Sequence, residues 1–180
     1  KEYLKGNKEA WEWWTNPPEG VAYEWTHPPL AKEIMTASMF ILKTQDGWAY
    51  RLPGVLLGTL AIYLVYLLAL KLLKNPHMAL ISAFAFSIDG LNFVQSRTAM
   101  NDIYFVTFIL LCLLLFLNKK YVISAIIFGL AITSKWTAIY LIFIFLIPLI
   151  YSKKIKQLLY FFIIPSLIYF LSKSPNSSAW

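Results

Sequence analysis

From Leu52 to Ser172 the chain returns again and again to apolar stretches without a charge: Leu52–Leu70, Met78–Ile88, Ile103–Asn118, Tyr121–Ser134, Trp136–Ser152 and Gln157–Ser172. One or a few charged residues separate each stretch from the next. Segments that apolar on every face must be buried in protein or dissolved in lipid. The 180-residue chain is 59% hydrophobic and 14% charged, with a mean hydropathy of +0.60. A soluble domain carries roughly 45–50% apolar and about 25% charged residues. A core of this size cannot hide the excess, because a small domain leaves much of its surface wet. An ordinary soluble enzyme, a disordered chain and a disulfide-stapled module are therefore excluded. The solvent for most of the chain is lipid.

Only Leu52–Leu70 passes the length of about 18 residues that marks a span by itself. Extended by their flanks, the stretches give about six crossings of roughly 16–21 residues. The predicted fold class is an all-α membrane protein, a multi-span transmembrane helical bundle. Residues 52–172 form the bundle, residues 1–51 an outer loop with short amphipathic helices at Lys1–Trp14 and 33–43, and residues 173–180 a further outer loop cut short. Lys1–Glu2–Tyr3–Leu4 is polar and no methionine opens the chain, so it reads as the interior of a longer protein. Pro17–Pro18 and Pro28–Pro29 stop any long helix in the first loop. Trp11, Trp13, Trp14 and Trp25 suit a headgroup interface.

Charge placement orients the bundle. If the spans alternate, the breaks with Lys71, Lys74, Lys119, Lys120, Lys153, Lys154 and Lys156 share one side, seven cations without an acid. By the positive-inside rule that side is cytoplasmic. The other side carries Arg51, Asp89, Arg97, Asp102 and Lys135, together with a first loop holding six glutamates among the ten charges of Lys1–Glu33. Mixed charge beside apolar sequence is where chemistry is sought. The net charge of +7 is spread over short breaks, which argues against a nucleic-acid partner. Cys112, alone, reads as a small buried hydrophobe and leaves the redox compartment open.

Each candidate residue has a plain reading and a chemical one. Arg51, before Leu52–Pro53, is an interfacial anchor or a phosphate clamp, which the planar guanidinium fork suits. In Gln95–Ser96–Arg97–Thr98–Ala99–Met100–Asn101–Asp102, Asn101 or Asp102 caps the following helix, or Arg97 and Asp102 form an ion pair that shapes a site. Lys135, beside Trp136, is a snorkelling anchor or a point charge on an anionic ligand. His27 is a loop hydrogen-bonding residue or positions a substrate. Asp89–Gly90 ends a helix. His27 has no second ligand at metal spacing, so no zinc site or other cofactor is expected. A glycine-rich phosphate loop, a nucleophile elbow and the His-Glu-x-x-His motif are all missing. Asn176–Ser177–Ser178 fits the glycosylation triplet, a weak signal on its own.

Four segments in order carry a resemblance: Glu24–Trp25–Thr26–His27–Pro28–Pro29–Leu30–Ala31–Lys32, then Tyr50–Arg51–Leu52–Pro53–Gly54 onward, then Asp89 to Asp102, then Thr133–Ser134–Lys135–Trp136–Thr137. Together they resemble protein O-mannosyltransferases. The resemblance implies a multi-span glycosyltransferase of the GT-C type. Such an enzyme moves mannose from a polyprenyl (dolichyl) phosphate mannose donor to Ser or Thr hydroxyls of an acceptor protein, with inversion, on the extracytoplasmic side. The family also carries an Asp-Glu pair after its first span, with no counterpart here. The chain is thus expected to be an incomplete enzyme whose base lies upstream, with Glu24 and His27 the catalytic candidates within it. Arg51, Lys135, Arg97, Asp102, Gln95 and Trp136 are the expected substrate-binding residues. Membrane lipids are the further expected partners, and the membrane is the plasma membrane or the endoplasmic reticulum. Two rivals stand beside this reading. One is a GT-C transferase with a lipid acceptor, resembling aminoarabinose transferases; the other is a transporter or membrane scaffold.

Overall fold

Residues of the first apolar stretch are helical because nothing in hydrocarbon competes for backbone hydrogen bonds, so each peptide group must find its partner within the segment. The computed structural model describes Asn16 and residues 27–172. The expected Lys1–Trp14 helix, Glu24 and the Asn176–Ser178 triplet lie outside the described residues. The order is α1 (Leu30–Leu42), α2 (Gly47–Leu73), α3 (Pro76–Ser87), α4 (Gly90–Arg97), α5 (Asn101–Leu117), α6 (Tyr121–Ser134), a 3₁₀ helix (Trp136–Leu141), α7 (Ile142–Tyr151) and α8 (Ile155–Ser172). Among the described residues there is no strand.

By length and apolarity α2 and α8 can each cross a membrane. The pair α3 and α4, bent by 59° at Ile88–Asp89, makes a third candidate if it is one broken span. The remaining apolar helices, Asn101–Leu117, Tyr121–Ser134 and Trp136–Tyr151, are shorter. The expectation of about six comparable spans thus meets helices of unequal length. At the 1.5 Å rise of an α-helix, α5 is only about 25 Å long.

Helix α2 starts at Gly47, ahead of the apolar stretch that opens at Leu52, so Arg51 lies within the helix and not in a loop before it. This early start requires the helix to run through Pro53. Proline has no N–H, which leaves the carbonyl four residues earlier, that of Ala49, without its usual donor. Ser38 of α1 fills the gap: its hydroxyl donates to the Ala49 carbonyl at 2.7 Å. The same bond fastens α1 to α2.

Small residues set how closely the helices approach, as they do where lipid offers no hydrophobic drive to pack. A Cβ on Gly54 would stand 2.9 Å from the Ser96 carbonyl oxygen, and one on Gly58 would stand 2.6 Å from Ser96 Cβ. Both glycines also face Ile103, so one stripe of α2 receives α4 and the start of α5. Deeper down, Thr107 Oγ1 donates to the Leu57 carbonyl (3.1 Å) and to Ile103 in its own helix (2.7 Å). Ser124 of α6 donates to the Cys112 carbonyl at 2.9 Å, and buried Cys112 is thus part of the α5–α6 seam. The largest apolar cluster joins α5 to α8 through Phe116, Phe128, Phe145 and Phe161; the rings of Phe145 and Phe161 stack at 5.0 Å. A second cluster sits under α1, where Ala31 meets Ile103 and Tyr104.

Gly54→Ala forces a Cβ against backbone, which cannot swing away, and overpacking of this kind costs about 1–3 kcal/mol. Gly90, with nothing within 4 Å of its Cβ position, is the matched control. Thermal unfolding in detergent is expected to fall for Gly54→Ala and to stay within about 1 kcal/mol for Gly90→Ala. Equal behaviour of the two variants would contradict the close approach.

Candidate functional site

Two ends of the bundle differ in chemistry, and contacts fix which residues share an end. On one end, Ala31 of α1 packs on Ile103 and Tyr104 at the start of α5, and Ser96 of α4 packs on Gly54 of α2. Arg51 lies one turn before Gly54. On the other end, Lys71 of α2 donates to Asn118 after α5 at 2.7 Å. Arg51 and Lys71 are about 30 Å apart along α2, which matches the hydrocarbon thickness of a bilayer. Arg51, the end of α4 and the start of α5 therefore gather at one end, and the lysine-bearing turns at the other.

The centre of the mixed-charge end is an ion pair. Lys135, just past the end of α6, places Nζ 2.5 Å from Asp102 Oδ1 in the first turn of α5. Their side chains are 22% and 26% exposed, so both charges are largely withdrawn from water. The sequence reading paired Asp102 with Arg97; the structure gives Asp102 to Lys135. The reason is local. Arg97 ends α4, and the turn Thr98–Met100 passes through Ala99 at φ 57°. The Arg97 guanidinium lies over its own neighbour Phe93, 4.8 Å from the ring centroid. The cap expected from Asn101 or Asp102 also moves: Met100 precedes α5 without a side-chain cap, and both polar residues fall inside the first turn.

The backbone of α6 turns out of the α-helix at Lys135, which is extended at φ −154° and ψ 130°. Thr133 and Ser134 return their hydroxyls to the carbonyls of Gly129 and Leu130, closing the helix end without exposing polar groups. Lys135 then leads into the 3₁₀ helix, whose Trp136 packs its ring on Tyr169 of α8 at 5.1 Å. Arg51 is exposed and lies over Tyr50, 5.6 Å from the ring centroid. Gln95 is half-buried on α4. The His27 carbonyl accepts from Lys32 Nζ at 3.5 Å, holding the start of α1 to the Pro28–Pro29 entry. Asp89 does more than end a helix: its carboxylate accepts from the Asn92 N–H at 2.8 Å and so starts α4.

Two further groups lie at this end, and neither stands out in the sequence. Glu33, in the first turn of α1, is half-buried, and loss of water raises the pKa of its carboxyl above the ordinary value. An acid in the first turn is a common helix-start feature, and that role masked its burial. Tyr104 is fully buried, and its hydroxyl has no hydrogen-bond partner among the described residues. The sequence signal for it was only its place two residues after Asp102. No group of three or more His, Cys, Asp or Glu gathers among the described residues.

Two tests follow from the geometry. Asp102→Ala leaves the Lys135 ammonium without its partner and is expected to cost roughly 1–3 kcal/mol, between exposed and fully buried pairs. Lys135→Ala should cost a similar amount, and the double variant should cost less than the sum. A double-mutant cycle read by chemical unfolding checks this, and strict additivity would reject the pair. Glu33 binds its proton more tightly folded than unfolded. Its contribution to stability is present below the unfolded carboxylate pKa and is lost as pH rises through the higher folded pKa. Glu33→Gln should therefore flatten the pH dependence of stability across that window and raise stability at neutral pH.

A family model described as dolichyl-phosphate-mannose-protein mannosyltransferase matches residues 26–178. A polyprenol-phosphate-mannose–protein mannosyltransferase of Mycolicibacterium smegmatis is 28% identical over 93 residues, which cover 52% of this chain and 17% of that relative. One of the same description from Corynebacterium glutamicum is 32% identical over 96 residues, covering 53% and 18%. A dolichyl-phosphooligosaccharide-protein glycotransferase of Archaeoglobus fulgidus is 31% identical over 121 residues, covering 65% and 20%. The chain spans about a fifth of the length of these relatives. No solved structure matches the chain significantly.

Proposed function

Because the chain belongs to the dolichyl-phosphate-mannose-protein mannosyltransferase family, we propose that the protein it forms part of transfers mannose from a polyprenyl phosphate mannose to Ser or Thr hydroxyls of proteins. The mixed-charge end faces the extracytoplasmic side in this reading. The observation that supports it most is the Lys135–Asp102 pair, set at the same end of the bundle as Arg51 and opposite the acid-free lysine turns.

The chemistry is a displacement at the anomeric carbon. The acceptor hydroxyl oxygen forms the new bond, and the bond to the lipid phosphate oxygen breaks. The electron pair leaves with the phosphate, and attack from the opposite face inverts the centre. A carboxylate takes the hydroxyl proton. Cations meet the charge that grows on the leaving phosphate. Lys135 suits that second role while paired, since an ammonium has three donors and Asp102 engages one. Asp102 then acts as a positioning residue, holding the ammonium at the helix end where a phosphate at the bilayer surface reaches it. Arg51 adds a planar donor fork on the neighbouring helix.

His27, held at the entry to α1, positions the sugar or the acceptor. Gln95 and Trp136 line the same end and contact substrate, Trp136 through its ring face. Glu24 and His27 are the candidates within this chain for taking the hydroxyl proton. The lipid tail stays in the bilayer beside the spans while its headgroup rises to this rim.

The test uses membranes holding the full-length enzyme, supplied with labelled polyprenyl phosphate mannose. Arg51→Ala and Lys135→Ala are each expected to lower transfer to protein roughly 10²-fold, the scale for removing one charge-stabilising donor. Transfer at the normal rate in both variants, or label entering lipid in place of protein, would sink the reading.

A further inference from the structure

The three lysine-bearing turns meet around a single segment, Asn118–Lys119–Lys120–Tyr121. From one side Lys71 Nζ reaches the Asn118 side chain at 2.7 Å. From the other, Lys154 Nζ reaches the Tyr121 hydroxyl at 2.8 Å and lies 5.1 Å from its ring centroid. These two bonds draw Lys71, Lys74, Lys119, Lys120, Lys153, Lys154 and Lys156 to one end of the bundle. Both bonded partners are neutral, so neither bond cancels a positive charge. No Asp or Glu occurs from residue 103 to residue 172, nor from 47 to 88. Six of the seven lysines are exposed, and Lys154 is half-buried.

Helix ends explain part of this pattern. Lys71 lies in the last turn of α2, and Lys74, Lys119 and Lys153 take left-handed conformations just past α2, α5 and α7, where cations complement the helix dipole. The others run against it. Lys120 immediately precedes α6, and Lys154 and Lys156 flank the start of α8. A cation at a helix start is unfavourable, and neither α6 nor α8 has an acid in its first turn. Seven cations at one end, three of them beside positive helix ends, make a surface whose field favours a bound anion.

We propose that this end is a docking surface for anionic phospholipid headgroups, seated on the Asn118–Tyr121 turn between Lys71, Lys74 and Lys154. The headgroup phosphate supplies the missing negative charge. The acyl chains lie along the apolar faces of α6 and α8, where Val122, Ile123, Leu159 and Ile163 are exposed. Tyr151, 91% exposed beside Lys153, belongs to the same interface. The surface is separate from the sugar-transfer end and does not rest on that reading.

The test places the full-length protein in nanodiscs of phosphatidylcholine with graded phosphatidylglycerol and counts the retained phospholipid by native mass spectrometry after gentle extraction. Phosphatidylglycerol should be retained about tenfold or more over phosphatidylcholine, and the preference should shrink at high salt. The Lys119→Gln/Lys120→Gln double variant should reduce the preference about tenfold. Lys43→Gln, a cation that ends α1 outside this cluster, should leave it unchanged. If the double variant does not fold, Lys153→Gln/Lys156→Gln carries the same expectation. Equal retention of the two lipids would overturn the proposal. So would an unchanged preference in the folded lysine variants, or displacement of phosphatidylglycerol by millimolar inorganic phosphate.

Discussion

A charge taken out of water is tolerated at a lipid boundary only when another charge meets it, and the pairing of Lys135 with Asp102 satisfies that condition where α5 begins and α6 ends. The two residues come from helices that run in opposite directions, so their pairing fixes the register of the α5–α6 hairpin at its open end. Inside the hairpin, Ser124 and Cys112 repeat the principle with neutral groups. Here a hydroxyl on one helix is answered by a carbonyl on the other. Helix geometry does the rest, because an uncharged backbone in lipid has no other conformation that satisfies it.

Helix α2 organises what surrounds it. Its glycine face admits Ser96 of α4 and Ile103 of α5, its Leu57 carbonyl takes the Thr107 hydroxyl, and its entry is fastened to α1. The consequence reaches the candidate site directly. Arg51, the Gln95–Arg97 end of α4 and the Asp102 turn of α5 are all carried on elements that touch this one helix. Their common placement comes from packing between small residues, not from attraction among the charged groups. Arg51 and Arg97 each rest on an aromatic neighbour in their own helix, Tyr50 and Phe93.

Much of this was legible from the order of residues. The apolar stretches from Leu52 onward marked the helices, and the acid-free lysine breaks separated the two ends, because both signals are written in local composition. What was illegible depended on distance in sequence. Nothing local distinguishes Arg97, five residues away, from Lys135, thirty-three residues away, as the partner of Asp102. The turn at Ala99 decided it. The charge of Arg51 placed the start of the first span at Leu52, whereas a serine eleven residues before Ala49 allows α2 to begin earlier and run through Pro53. The burial of Tyr104 likewise arises where Ala31 of α1 packs on the start of α5. The helix end at Asp89–Gly90 was legible, whereas the 59° bend between α3 and α4 was not, because bend angles are set by packing and not by local composition.

The bond from Ser38 to Ala49 acts as an index pin between the surface helix and the first long one. Proline frees the Ala49 carbonyl and the Ser38 hydroxyl fills it; a slide of α1 by a helical turn along its neighbour would leave that carbonyl without a donor. The short helix α1 is thereby tied to the first long helix through a backbone vacancy that proline creates, a fastening that needs no charge at the lipid boundary.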